Sequence, residues 1–379
     1  TPAKMNARDT ELLVDKHNEA LKVMPAIFGQ NGYKVTLFDP TYAGYTWTPT
    51  LTVFNDCENV KAYNTKGSFT SVELKQQLVD ANNRNFFCYS LFKTAPLALQ
   101  TSLYDNGEYN RSDIKASEAY GVQTTDGLYV ADGISAAFME PYNVLENLPY
   151  ITDVTDGDDN TFLIMTNDTT HEPMLLQEPE YKPAQHVDNT EYEAEHSDRF
   201  TLDGVTLRMD TDNHMAHYQA NMASFIELGK WFDYMKEQGV WDNTRIIIVS
   251  DHGRVTRQID ELVFEDGFDI LGYYSLFMVK DFNSTGFETN DDFMTIADVP
   301  TYAMKGLIDD PVNPFTGKKI DSSDKTAHDQ YLIDSVEWDV STNNGTTYLP
   351  AKWWTVHDNV LDKNNWKFIS EDDVLNTEK

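Results

Sequence analysis

The sequence predicts an α/β fold: a mostly parallel sheet flanked by helices, followed by a small β-rich C-terminal tail. Helix-periodic stretches end in glycine and lead into apolar strands, once at Gly32 and again at Gly239. Helix, short loop and strand make half of a parallel α/β repeat. Ile246 to Val249 carry no polar alternation, so both faces are expected to be buried, as in a central parallel strand between helix layers. Beyond about Asp321 the pattern changes to short segments holding Trp338, Trp353, Trp354 and Trp366 with Asn-Gly turns, which reads as small β structure packed on the main domain.

In chain order, Asp9 or Thr10 can cap a helix through Leu12, Leu13, His17, Leu21, Met24 and Phe28, and Asn31-Gly32 ends it. Tyr33 to Phe38 follows as a strand closing at Asp39-Pro40. A helical region rich in Leu and Phe spans Ser71 to Leu103, with a break near Asn82 and Asn83 or at Pro96, and another helix is expected from Gly133 to Leu148. Thr161 to Thr166 is a second buried strand, ending in Asn167-Asp168-Thr169-Thr170-His171. From Met174 to about Asp212 the chain is polar and reads as a long surface excursion with short strands at most. The strongest helix runs from Asn213 to Gln238, where Tyr218, Met222, Phe225, Leu228, Phe232 and Met235 recur on one face. A long helix, a glycine turn and an apolar strand make a right-handed crossover the expected connection. Leu271 to Val279 is a further strand and Asp298 to Leu307 a further helix.

A chain of 379 residues is long enough for one large α/β domain with an appendage, or for two ordinary domains. Its 62 acids against 29 bases, a formal charge of −33, argue against nucleic acid or an anionic membrane face as a partner and favour cation attraction. Cys57 and Cys88 are its only cysteines, so there is no disulfide framework and no cysteine-based metal site. No window reaches the length of a membrane span, and no signal-like segment opens the chain. The start at Thr1 without an initiator Met reads as a cut piece or a mature form.

The candidate site lies where the Ile246 strand stops at Asp251-His252-Gly253. Chemistry in open α/β sheets sits at strand ends, and a carboxylate beside a neutral imidazole can ligate a divalent cation, with Gly253 letting the backbone turn behind them. The plainer alternative is a buried strand capped by a polar turn. His171 also follows an apolar strand, and could bind metal, hydrogen-bond an anionic substrate oxygen, or stay solvated. Arg254 could pair with a phosphate or sulfate oxygen or bridge to an acid. Tyr45 and Trp47, in the loop after the Tyr33 strand, could line a pocket or pack the loop. His214 and His217 read as helix N-terminal polar residues, and His17, His186, His196, His328 and His357 have no distinguishing context.

Taken together, Trp231 to Lys236, Gly239, Asp242-Asn243-Thr244, Ile246 to Ser250 and Asp251-His252-Gly253 resemble the sulfatase-type branch of the alkaline phosphatase superfamily. The resemblance is nearest to the lipoteichoic acid synthase and phosphoethanolamine transferase enzymes. Met165 to Pro173 and Met24-Pro25 with Gly32-Tyr33 are similar to further parts of that pattern, which covers roughly residues 10 to 320. The resemblance implies that Asp251 and His252 hold one divalent ion (Mn, Mg, Ca or Zn) and that His171 contacts the phosphate or sulfate. It also implies a nucleophile and another acidic ligand upstream of Gly32, where only Thr1 and Thr10 carry hydroxyls. The expected organisation is therefore a sulfatase-like α/β domain over 1–320 lacking its N-terminal strand and nucleophile segment, with a β-rich appendage over 321–379.

The expected activity is that of a fragment of a metal-dependent phosphotransferase or hydrolase of the cell envelope. Its substrate would be a small-molecule, glycan-linked or lipid-linked ester, and a membrane anchor would lie in the parent protein, leaving this part extracellular. Two alternatives stand beside it: a sulfatase acting on sulfated glycans, and a catalytically inactive binding module that recognises a partner through its acidic surface and aromatic tail.

Overall fold

The computed structural model describes residues 10–104, 123–124, 128–154, 157, 159–202, 204–335, 345–346 and 351–370. Thr1, Asp9 and Trp338, named above, lie outside them. The chain divides into two compact units, one of Thr1–Asn64, Asp156–Thr166 and Val240–Lys379, the other of Thr65–Thr155 and Asn167–Gly239. The fold is α/β, with a three-stranded parallel sheet flanked by helices and a C-terminal group of antiparallel strands.

The first unit holds the parallel sheet, ordered Val60–Tyr63, Lys34–Phe38, Thr161–Met165. Phe38 lies opposite Tyr63 on one side and Met165 on the other, so all three strands finish at one edge. The Leu13–Gln30 helix covers the sheet by placing Ile27 and Phe28 in a core with Val35, Leu37, Phe54, Ala303 and Met304. Phe28 stacks on Phe162 at 3.8 Å between ring centres. Each such side chain contributes about 1.5–3 kcal/mol by leaving water. The helix ends at Asn31 and Gly32 as expected, with Gly32 left-handed at φ +83°. Its start differs: the N-cap is Leu12, which gives no side-chain cap.

The Ile246–Val249 strand departs further from expectation. Its ladder partner is antiparallel, Phe277–Lys280, and the two form a separate two-stranded sheet. Its residues are half-buried and Val249 is exposed. An apolar run reports burial and not the direction of the neighbouring strand; Ile247 reaches the shared core, which accounts for the pattern without a parallel crossover. The strand expected from Leu271 begins only at Phe277, because Ile270–Tyr273 forms a 3-10 turn. The helix expected from Asp298 is the short Val299–Met304, preceded by a Thr295/Asp298 capping box.

The tail forms an antiparallel sheet of Gln330–Ser335, Ala351–Val356 and Trp366–Ile369. Trp353, Trp354 and Trp366 are buried. Trp354 stacks on Phe268 at 4.0 Å and joins Leu262 and Ile270 in a second core of this unit. These three indoles are therefore committed to packing.

The second unit is built on the Ala136–Ile151 and Asp212–Glu237 helices, which share a core of Phe138, Met139, Tyr142, Ala220 and Ala223. Of the apolar face expected on the long helix, Met235 is buried and Tyr218 and Met222 pack against the core, but one member departs. Phe225 is exposed, while Ala216, Gln219, Ala220, Ala223 and Glu227 are buried. Small residues let the helices approach, and Tyr142 closes the contact by donating to Glu227 Oε1 at 3.1 Å. The Leu- and Phe-rich region forms two helices, Val72–Thr94 and Leu97–Tyr104, broken at Pro96 and not at Asn82-Asn83. The stretch after Met174 is less superficial than its polarity suggests, since Met174, Leu175 and Leu176 are buried. It carries the His186–Asp188 strand, the Thr190–His196 helix and a small hairpin. No helix among the described residues is long and apolar enough to cross a membrane.

Candidate functional site

The Ser250 to Arg254 turn is held from behind by the segment that leads into the Phe277 strand. Ser250 N donates to Leu276 O at 3.1 Å, Leu276 N to Ser250 Oγ at 2.8 Å, and Gly253 N to Gly272 O at 3.1 Å. Gly253 is required by space and not, as the sequence suggested, by a special turn conformation. It has no left-handed φ, yet a Cβ there would lie 2.0 Å from Leu271 O and 2.7 Å from Tyr274 O. The 262–273 segment behind it is the one the tail tryptophans pack against, so the β tail supports the turn at one remove.

At the front of the turn, Asp251 and His252 face solvent, with side chains 85% and 57% exposed. Asp251 Oδ1 accepts from His252 N at 2.9 Å, and His252 Nδ1 donates to Gly253 O at 2.6 Å. A carbonyl on Nδ1 fixes the tautomer and leaves the Nε2 lone pair outward, the usual way an imidazole is oriented toward a metal. Nε2 lies 3.6 Å from Asp251 Oδ2. Arg254 is exposed and makes no hydrogen bond or ion pair with the described residues. Among those residues no three His, Cys, Asp or Glu side chains gather as a metal-holding group, so this turn offers two donors.

The loop after the Lys34 strand sits at the finishing edge of the parallel sheet, where Thr41 Oγ1 donates to Thr166 Oγ1 at 3.1 Å. Asp39, Tyr42 and Tyr45 are left-handed at φ 50°, 50° and 55°, a cost of about 1–3 kcal/mol each that persists only where surroundings impose it. The Leu13–Gln30 helix imposes it here. His17 Nε2 donates to Thr41 O at 2.9 Å and its ring meets Tyr45 edge-on at 5.3 Å, while Asn18 Oδ1 accepts from Gly44 N at 2.9 Å. Trp47 is exposed and packs its ring edge-on with Tyr42 at 5.4 Å. His17, which sequence context did not distinguish, is thus a positioning residue for Tyr45.

His171 lies in the second unit with its side chain exposed, Nδ1 donating to Glu172 Oε1 at 3.2 Å. Its loop is rigid. Asn167 Oδ1 accepts from Thr169 N and Oγ1, and Asn167 Nδ2 donates to Pro141 O at 2.9 Å. Lys66 adds an ammonium, bonded to Asp168 Oδ2 at 2.8 Å. Burial works against the Lys66 charge, but the Asp168 hydrogen bond and the nearby Asp168, Glu172 and Glu140 carboxylates raise its pKa above the usual lysine value, so it stays a cation. No sequence signal marked Lys66, because its partners lie about a hundred residues away. Asn167→Ala leaves the Pro141 carbonyl and the Thr169 donors unmet, and is expected to cost about 1–3 kcal/mol; hydrogen exchange over 166–172 should rise, whereas unchanged protection would mean that other contacts hold the loop.

Two cavities of about 310 and 280 Å³ lie in the first unit, one beside Leu51–Asn55 and the other around Asp298, Lys325 and His328. Neither is lined by Asp251, His252, Arg254, Tyr45, Trp47 or His171. Neither the family models nor the curated protein sequences compared with this chain match it.

Proposed function

We propose that the chain is part of a metal-dependent phosphotransferase or hydrolase of the alkaline phosphatase and sulfatase type, acting on phosphate or sulfate esters at the cell envelope. The observation that carries this is the donor spacing at the turn, 3.6 Å between Asp251 Oδ2 and His252 Nε2. Metal bonds of about 2.1 Å at a tetrahedral angle put two donors about 3.4 Å apart. The pair therefore fits one cation and leaves its other positions to water, substrate or further ligands. An oxygen and nitrogen set suits Mn or Zn equally, and Mg and Ca remain within the proposal.

When bound, such a cation supplies charge stabilisation to a transferred phosphoryl or sulfuryl group. The chain's own residues do the rest of the binding. Arg254 presents a guanidinium whose forked donors match two ester oxygens. Tyr45 and Trp47 offer aromatic surface to the alcohol portion, Tyr45 held by His17. His171 belongs to the second unit and is proposed by itself as a hydrogen-bonding group for an anionic oxygen, with Nδ1 on Glu172 and the Lys66 ammonium in the same loop network. The attacking hydroxyl is left to a group outside these residues.

Titration of Mn²⁺ and of Zn²⁺ by calorimetry tests the reading. Asp251→Asn and His252→Ala are each expected to weaken binding at least tenfold, about 1.4 kcal/mol. Both variants binding as well as the parent chain would overturn the assignment.

A further inference from the structure

Two helices of the second unit carry large apolar side chains that the described residues leave exposed. In Val72–Thr94 and Leu97–Tyr104, Phe86, Phe87 and Leu97 are 73%, 70% and 82% exposed, and Leu91, Leu99 and Tyr104 are exposed as well. The Leu97–Tyr104 helix has no buried residue. The two helices touch one another, Phe92 meeting Tyr104 at 6.0 Å between ring centres. At about 150–250 Å² per large side chain, these exposed fractions amount to roughly 550–900 Å². Each partner of a standard protein interface contributes about 800 Å², and the largest apolar patch on a monomer is typically about 300–600 Å².

We propose that this hairpin is the interface of a homodimer, closed by the same hairpin of a second copy. Charge selects the occupant. From Ala81 to Tyr104 there are two bases, Arg84 and Lys93, and no acid, in a chain of 62 acids and net charge −33. Two such chains repel over most of their surfaces, but these 24 positions can meet their own image without setting carboxylate against carboxylate. A two-fold interface asks for that self-complementarity. The distribution of the side chains argues against a bilayer. At 3.6 residues per turn, Phe86, Phe87, Tyr89 and Leu91 point in widely different directions round the helix, so a flat lipid surface would cover only some of them, whereas neighbouring helices can cover several sides. Two opposed bases also give little attraction to anionic lipid against the charge of the rest.

Sedimentation equilibrium of the whole chain tests this. The expected mass is twice 43.3 kDa, falling to the single-chain value in Phe86→Asp/Leu97→Asp with the circular dichroism melt unchanged. These positions are exposed, so their substitution leaves the fold intact. A bis-maleimide should link two native chains through Cys88 and fail with Cys88→Ser. Cys57→Ser is the control and should leave the link in place. A monomeric parent chain at about 100 μM, well above the Kd of an ordinary stable dimer, would overturn the proposal. So would a dimer that the double aspartate variant does not dissociate. A monomer that floats with phosphatidylcholine vesicles in a Phe86- and Leu97-dependent way would also overturn it, assigning the hairpin to lipid instead.

Discussion

Gly253→Ala is expected to destabilise the first unit by about 3 kcal/mol or more, a large effect for one methyl group. The methyl carbon would lie 2.0 Å from Leu271 O and 2.7 Å from Tyr274 O. Both obstacles are backbone and cannot swing aside as a side-chain tip would, so the Leu271–Tyr274 segment has to move. That segment carries the Gly253–Gly272 hydrogen bond and abuts the core of Ile270, Trp354 and Trp366. Movement there also shifts Asp251 and His252, so affinity for Mn²⁺ should fall with stability. Gly229→Ala is the matched control. It lies in the Asp212–Glu237 helix with nothing within 4 Å of the new carbon and no left-handed φ, and should gain about 0.5–1 kcal/mol from helix propensity. Urea unfolding midpoints measure both. A Gly253→Ala midpoint equal to that of the parent would mean the segment yields freely and the turn is not clamped.

Arg199→Met is expected to cost the second unit about 3–5 kcal/mol. Arg199 donates to Glu178 Oε1 at 2.8 Å and to both oxygens of Glu193, and it lies 4.0 Å over the Phe200 ring. Glu178 and Glu193 are buried, and one guanidinium serves both. Gln219 Nε2 also donates to Glu178 Oε1, at 3.1 Å, while Glu178 Oε2 meets no donor among the described residues. Burial, with Glu193 alongside, pushes Glu178 up to about 7, from 4.5. The folded state thus holds a proton that the unfolded chain releases near pH 4.5. The stability linked to it is complete below that pH and is lost as pH rises toward 7. The loss is on the order of 1–3 kcal/mol. Glu178→Gln should flatten that dependence and exceed the parent in stability at pH 8. Parallel stability curves for parent and Glu178→Gln between pH 5 and 8 would sink the account.

What the sequence made legible followed from local chemistry. Gly32 and Pro96 ended helices because one is free to turn left-handed and the other excludes the α region before it. The tryptophans of the tail marked β structure because aromatic residues fit a pleated, half-buried surface. The misses arose where a residue's role depends on a distant partner. Ile246 to Val249 reported burial but not that Phe277 to Lys280 would pair with them in reverse. Phe225 looked like core because size was counted, while the face that packs is set by Ala220 and Ala223. At the candidate site, Asp251 and His252 were readable as adjacent donors. The bond from His252 Nδ1 to Gly253 O, the support of Tyr45 by His17 and the charge at Lys66 all needed coordinates.

The path of the chain between its units has a consequence for synthesis. Residues 156–166 belong to the first unit although 65–155 and 167–239 both belong to the second, so no single cut releases either one. On the ribosome the Lys34 strand emerges long before its neighbour at Thr161. At about 5–20 residues per second, that neighbour follows roughly 6–25 s later. The first unit cannot complete its core until Ala303 and Met304 arrive. The second unit has all its residues by Gly239 and can finish first, while the leading 64 residues still wait for the rest of their own core.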